Sequence, residues 1–239
     1  MQLSKIFKKP NYRDYSMRYA KDFCNRKIFW QKCSFIVLKI TFALFYNLQI
    51  EGLDNVPNKR FIVAPNHTCY FDPFLVSHIL WMPIAYMAKK ELFEKNWLAS
   101  LMLDELSAFA VNREHLELST IKTVKEIFKT PDWSMGIFPE GGIRRNKQFS
   151  KVTKGFAVIA QMVKTDILPI GITGLETYNW NPFKKQDVNV RIGHIIPYTE
   201  SIEDIQRNWK RQLSDLTGYD LIEEDSNLSQ EQQKESVIQ

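Results

Sequence analysis

From Ile50 onward the sequence alternates short β-rich apolar runs with stretches of helical periodicity, a pattern that few architectures accept. The runs are 61–64 (FIVA), 84–88 (IAYMA), 107–111 (SAFAV), 135–138 (MGIF), 167–172 (ILPIGI) and 188–193 (VNVRIG). Between them, 119–129 carries Ile121, Val124, Ile127 and Phe128 at helical spacing, and 154–163 reads the same way. This alternation predicts an α/β fold with a largely parallel central sheet flanked by helices. A chain of 239 residues has room for one good-sized domain with appendages. In sheets of this kind ligands gather beyond the carboxyl ends of the strands, so the residues just after each run are the first to examine for chemistry.

After the first run comes Pro65-Asn66-His67-Thr68-Cys69-Tyr70-Phe71-Asp72-Pro73. A histidine and an aspartate five residues apart, across a strand-to-helix turn, can bring imidazole and carboxylate into hydrogen-bonding contact. The carboxylate then fixes the tautomer and stabilises the imidazolium, which makes the ring a general base. A plainer reading stands beside it, with His67 a polar loop residue and Asp72 an N-cap followed by proline at the first helical position. The other histidines, His78, His115 and His194, lack such a setting. After the MGIF run, Pro139-Glu140-Gly141-Gly142-Ile143-Arg144-Arg145 joins two glycines, which let backbone approach a ligand, to two forked phosphate donors. That segment is either an anion site or an ordinary Gly-rich turn with solvated arginines. Arg113, after SAFAV, could aim at the same cleft. No GxSxG, HExxH or GxxxxGK[ST] occurs, so serine hydrolase, zinc protease and P-loop chemistry lack their usual signatures. No metal-ligand spacing is present either, and the nucleophile is expected to belong to the substrate.

The most apolar stretch, 28–48, is interrupted by Lys32 and Lys39, which fall seven apart on one helical face. A spanning helix needs about 20 largely uncharged residues. An amphipathic helix lying in a membrane interface fits this pattern better, and a helix packed on the protein's own core is the alternative. Residues 1–45 hold ten basic residues against Asp14 and Asp22, whereas 200–239 hold ten acidic against four basic. Such a basic, aromatic-rich start suits anionic lipid. Nucleic acid is not expected as a partner, because the basic residues cluster in and around an apolar segment and no nucleic-acid motif is present. Cys24, Cys33 and Cys69 form no pair or metal spacing and suggest a reducing compartment. After about Glu223 the chain is polar and Gln/Glu/Ser-rich, which reads as a disordered tail.

Four blocks in order resemble the glycerolipid acyltransferase family that carries the NHxxxxD motif. They are Asn66-His67 with Asp72, Phe109 to Arg113, Phe138-Pro139-Glu140-Gly141, and Leu168-Pro169-Ile170, within a resemblance running from about Ile50 to about Pro197. The resemblance implies that His67, oriented by Asp72, deprotonates the sn-2 hydroxyl of lysophosphatidic acid. The alkoxide would attack an acyl thioester of acyl carrier protein or coenzyme A, giving phosphatidic acid with no further cofactor. It places the acceptor near Asn66, Lys89 (with Lys90 a rival), Arg113, Glu140, Gly141 and an arginine. The family continues its glutamate-glycine pair with Thr-Arg-Ser, whereas this chain reads Gly142-Ile143-Arg144-Arg145. Arg144 is therefore the first match and Arg145 the second. The implied organisation is a basic membrane-association segment over 1–48, the catalytic domain over 49–199, and an acidic helix with tail over 200–239. Its implied place is peripheral or monotopic on the cytoplasmic face of a membrane. Glycerol 3-phosphate or another lysophospholipid as acceptor, or a non-catalytic lipid-binding protein of the same fold, are the alternatives.

Overall fold

Parallel strands covered on both faces lose the in-out alternation of exposed strands and become unbroken apolar runs; the centre of this sheet is written that way. The computed structural model describes residues 15–95, 97–112, 117–149, 152–177 and 184–222. Its strands are β1 (Tyr46–Glu51), β2 (Ile62–Pro65), β3 (Ile84–Lys89), β4 (Phe109–Val111), β5 (Ser134–Gly136), β6 (Gln148–Phe149), β7 (Ile167–Thr173), β8 (Gln186–Ile192) and β9 (Asp220–Leu221). Seven of them form one sheet in the order β1-β8-β7-β2-β5-β3-β4, and β6 pairs separately with β9. Within the main sheet only β7 and β8 pair antiparallel, so β1 and β8 run against the other five.

The helices are α1 (Asn25–Phe45), α2 (Asp72–Leu80), α3 (Lys90–Lys95), α4 (Trp97–Glu105), α5 (Leu118–Ile127), α6 (Gly155–Val163) and α7 (Ile202–Thr217). Alternate residues around β2 divide them into two layers. Ile62 and Ala64 share a core with Val124 and Ile127 of α5, Phe156 and Ile159 of α6, and Trp209 and Leu213 of α7. Phe61 and Val63 face the opposite way, into a core with Leu38 and Phe42 of α1 and Leu75 and Val76 of α2. Each such side chain, fully buried, contributes about 1.5–3 kcal/mol. Trp209 also donates its indole N–H to the Ala64 carbonyl at 2.8 Å, tying α7 to the middle of the sheet.

Three expectations change. The segment 1–48 does not end as a helix: α1 stops at Phe45, and Tyr46–Glu51 forms β1, held by a six-pair parallel ladder with β8. SAFAV shortens to Phe109–Val111 because Ser107 takes φ 57, closing the end of α4 instead of extending a strand. The C-terminal region adds a strand, β9, after α7, while the tail expected from 223 onward lies outside the described residues.

The helix α1 is not amphipathic in the simple sense. Gln31, Phe35, Leu38 and Phe42 form a buried stripe packed on the sheet layer, and Phe29, Trp30, Ile36, Val37, Ile40 and Leu44 form an exposed stripe opposite. Both lysines, Lys32 and Lys39, are exposed at one edge of that outer stripe. By length and composition the helix could cross a membrane, yet one side of it is core. Gln31 fixes it in place, donating to the Ile84 and Leu106 carbonyls at 3.1 and 2.8 Å.

Candidate active site

The carboxyl end of β2, flanked by β5 and β7 at the middle of the sheet, delivers the chain to His67. The next five residues make a tight turn into α2. Asp72 is the first helical residue of α2, with Phe71 as its N-cap, so the N-cap reading of Asp72 does not hold. Instead the carboxylate, fully buried, turns back over the loop. One oxygen, Oδ2, accepts from His67 Nδ1 at 2.9 Å, from the Thr68 N–H at 2.6 Å and from the Cys69 N–H at 2.8 Å. The other, Oδ1, accepts from the Thr68 hydroxyl and the Cys69 thiol, both at 3.1 Å. A buried carboxylate is retained only when its lone pairs are met, and here five donors meet them. The thiol beside it is inert: burial first, and the Asp72 charge second, push the Cys69 thiol up to about 12.

Since Nδ1 donates to Asp72, the lone pair of the imidazole sits on Nε2, where it can take a proton. The ring lies stacked on Phe138 with centroids 4.0 Å apart, and Phe138 lies stacked on Tyr86 at 5.7 Å. This stack depends on Gly136, the ladder partner of Tyr86. A Cβ at 136 would come within 2.2 Å of the tyrosine ring, so only glycine lets that ring lie across β5.

Distant backbone completes the mount. The His67 N–H donates to Glu140 Oε1 at 2.9 Å, and the His67 carbonyl accepts from the Arg144 N–H at 2.7 Å. Arg145 Nε reaches the Thr68 carbonyl at 3.4 Å. Gly141, at φ 69, supplies the left-handed turn that brings this segment round, closed by its N–H to the Phe138 carbonyl at 3.0 Å. Burial pushes the Glu140 carboxyl up to about 7, against the pull of the His67 N–H and the Arg144 charge and with a push from Asp72.

His67, Lys89 and Gly141 all line one cavity of about 340 Å³ running under α1, α2 and α4. Its other walls are mainly apolar and include Phe35, Phe74, Ile84, Leu92 and Leu103. Lys89 is exposed at the carboxyl end of β3, and the Arg144 and Arg145 side chains are exposed on the turn beside His67. Two expected ligand residues are engaged elsewhere. The Asn66 amide, buried, donates to the Ile172 carbonyl at 2.9 Å and accepts from the Ile172 N–H at 2.7 Å, clamping β7 to β2. The Glu140 carboxylate holds His67 instead of facing the cavity. Arg113 lies outside the described residues. Sequence reasoning missed Tyr86 and Phe138 as the support of the imidazole; the glycine at 136 opposite an aromatic was their only signal.

The arrangement is therefore an imidazole mounted at the wall of a mainly apolar cavity that Lys89 also lines, with Arg144 and Arg145 on the turn beside it. A family model described as Acyltransferase matches residues 47–173. The 1-acyl-sn-glycerol-3-phosphate acyltransferase of Bacillus subtilis (strain 168) is 33% identical over 158 residues, 65% of this chain and 77% of that protein. The protein of the same name from Streptococcus pneumoniae (strain ATCC BAA-255 / R6) is 27% identical over 184 residues, 76% of this chain and 66% of its own. The crystal structure of the 1-acyl-sn-glycerophosphate (LPA) acyltransferase PlsC from Thermotoga maritima superposes with a TM-score of 0.59 at 20% identity, covering 82% of this chain and 85% of that one. At that identity the superposition bears on the fold.

Proposed function

This chain belongs to the acyltransferase family, and from that premise we propose that it moves a fatty acyl group from an acyl thioester to the sn-2 hydroxyl of lysophosphatidic acid, giving phosphatidic acid. One observation carries the reading: an imidazole held at Nδ1 by a buried carboxylate lines an apolar cavity that also carries a lysine. The names of the relatives point to the same acceptor. His67 Nε2 takes the hydroxyl proton as the oxygen attacks the thioester carbonyl carbon. The tetrahedral intermediate collapses with cleavage of the C–S bond, and the imidazolium returns the proton to the leaving thiolate. Asp72 stabilises that imidazolium in between. The apolar cavity takes an acyl chain, and Lys89 with Arg144 and Arg145 holds the acceptor phosphate. The thioester is carried by acyl carrier protein or coenzyme A, and the exposed apolar stripe of α1, edged by Lys32 and Lys39, rests on a phospholipid surface as a monotopic contact on the cytoplasmic face.

The test is incorporation of labelled acyl groups with both donors against lysophosphatidic acid, glycerol 3-phosphate and a lysophospholipid of larger headgroup. His67→Ala is expected to abolish incorporation with an unchanged circular-dichroism spectrum. Full activity in that variant overturns the mechanism, and preference for another acceptor overturns the substrate assignment alone.

A further inference from the structure

We propose that α4 is a second lipid-contacting element that, together with α1, seats the cavity on an anionic phospholipid surface; this rests on the membrane reading of α1 above. Leu98, Leu101 and Met102 are 52%, 47% and 53% exposed, with Trp97 beside them at 54%. Helical spacing puts all four on one side of α4. The opposite side is committed inward: Ser100 is fully buried and Leu103 lines the cavity. The same division holds on α1, whose inner Phe35 lines the cavity while its outer stripe is exposed. Two helices thus present their backs to one cavity and their apolar fronts to the outside, a concentration of exposed apolar surface that marks a contact.

An ion pair sets the relative direction of the two fronts. Arg26 precedes Phe29, Trp30 and Val37 by three, four and eleven residues, so it shares their side of α1. Glu105 follows Leu98, Leu101 and Met102 by seven, four and three residues, so it shares their side of α4. Arg26 pairs with Glu105. Lys27, on the buried stripe of α1, and Arg18 both pair with Asp104, at 2.8 and 2.7 Å, at the edge of α4 that Trp97 also occupies. With the outer sides of the two helices joined through Arg26 and Glu105, the two apolar stripes face the same way.

Charge selects the occupant. Asp104 and Glu105, the acidic residues at the end of α4, are answered by three cations, and Lys32 and Lys39 edge the stripe of α1. An apolar face with a positive border fits an anionic bilayer. In a second copy of the chain the same border would meet its own sign.

Full-length protein is mixed with vesicles of phosphatidylcholine and phosphatidylglycerol at about 3:1, and partition is read by sedimentation. The double variant Leu98→Glu/Leu101→Glu is expected to partition at least about tenfold less than wild type, as removal of one or more buried apolar side chains requires. Ile36→Glu/Ile40→Glu serves as the α1 control. Lipids brominated along the acyl chain are expected to quench wild type more than Trp97→Phe, an arm that does not depend on a charged variant folding. If the α1 variant detaches while the α4 variant binds like wild type and Trp97 contributes no quenching, the role of α4 is overturned and the membrane reading survives. If wild type does not partition, both fall. A lipid-free dimer that the α4 glutamates dissociate, with partition unchanged, assigns the face to a second copy and overturns the proposal.

Discussion

Replacing Asp72 by asparagine separates the charge of the carboxylate from its shape. In wild type a single oxygen, Oδ2, accepts from His67 Nδ1 and from the N–H groups of Thr68 and Cys69. An amide oxygen in the same place keeps all three acceptor contacts. The amide nitrogen falls where Oδ1 was, facing the Thr68 hydroxyl and the Cys69 thiol, which can rotate to accept. Loss of stability is therefore expected to stay within about 2 kcal/mol, the difference between charge-assisted and neutral bonds less the desolvation of the buried charge. Asp72→Ala, by contrast, orphans two buried N–H groups at about 1–3 kcal/mol each. For the chemistry, full charges at the observed 2.9 Å attract by about 6 kcal/mol at an effective dielectric of about 20. With the imidazolium about half formed in the transition state, about 3 kcal/mol is lost, or about 10²-fold. Disturbance of the tautomer carries the loss toward 10³-fold. Labelled-acyl assays on lysophosphatidic acid are expected to give kcat reduced by about 10²–10³-fold, with KM for the acceptor little changed and Tm within about 6 °C of wild type. A folded variant keeping more than about a tenth of wild-type kcat refutes the reasoning, since tenfold corresponds to only about 1.4 kcal/mol.

Glu140→Gln tests the mount of His67 through pH. A carboxyl raised by burial from 4.5 to about 7 binds its proton more tightly in the fold, so its stabilising contribution is complete below 4.5 and is lost as pH climbs through about 7. Wild-type Tm is expected to fall relative to the glutamine variant across that window, and parallel curves would contradict the burial account. Asn66→Ala leaves the buried Ile172 N–H and carbonyl without their side-chain partners; a loss of about 2–4 kcal/mol is expected by urea unfolding, and a change below about 1 kcal/mol would show that β2 and β7 need no such clamp. In thiol titration of the native protein Cys24 is expected to react readily while Cys69 stays silent until denaturant is added, because its thiol is pushed up to about 12 and fully buried; prompt reaction of Cys69 would mean the loop opens.

What could be read from the sequence and what could not divide along one physical line, the distance along the chain over which each contact forms. His67 and Asp72 were legible because five residues span the turn that joins them, and β2, β3, β5 and β7 were legible because central parallel strands must be apolar throughout. Tyr46–Glu51 was not, since its residues are mostly exposed and its reason to be a strand is β8, about 140 residues away. The same holds at the site. The His67 N–H is met by Glu140, 73 residues on, and the stack beneath its ring joins β3 to the segment after β5 through a missing Cβ at Gly136. The resemblance implied Asn66 and Glu140 near the acceptor, and in the structure their side chains meet buried backbone polar groups at Ile172 and His67, a demand that only the tertiary fold sets. On α1 the spacing of Lys32 and Lys39 put both on one face, but with apolar residues on two sides of the helix only tertiary packing could decide which stripe is core. That choice bears on the proposed function: the stripe turned inward builds the cavity wall, and the stripe left outside is the surface that the proposal seats on lipid.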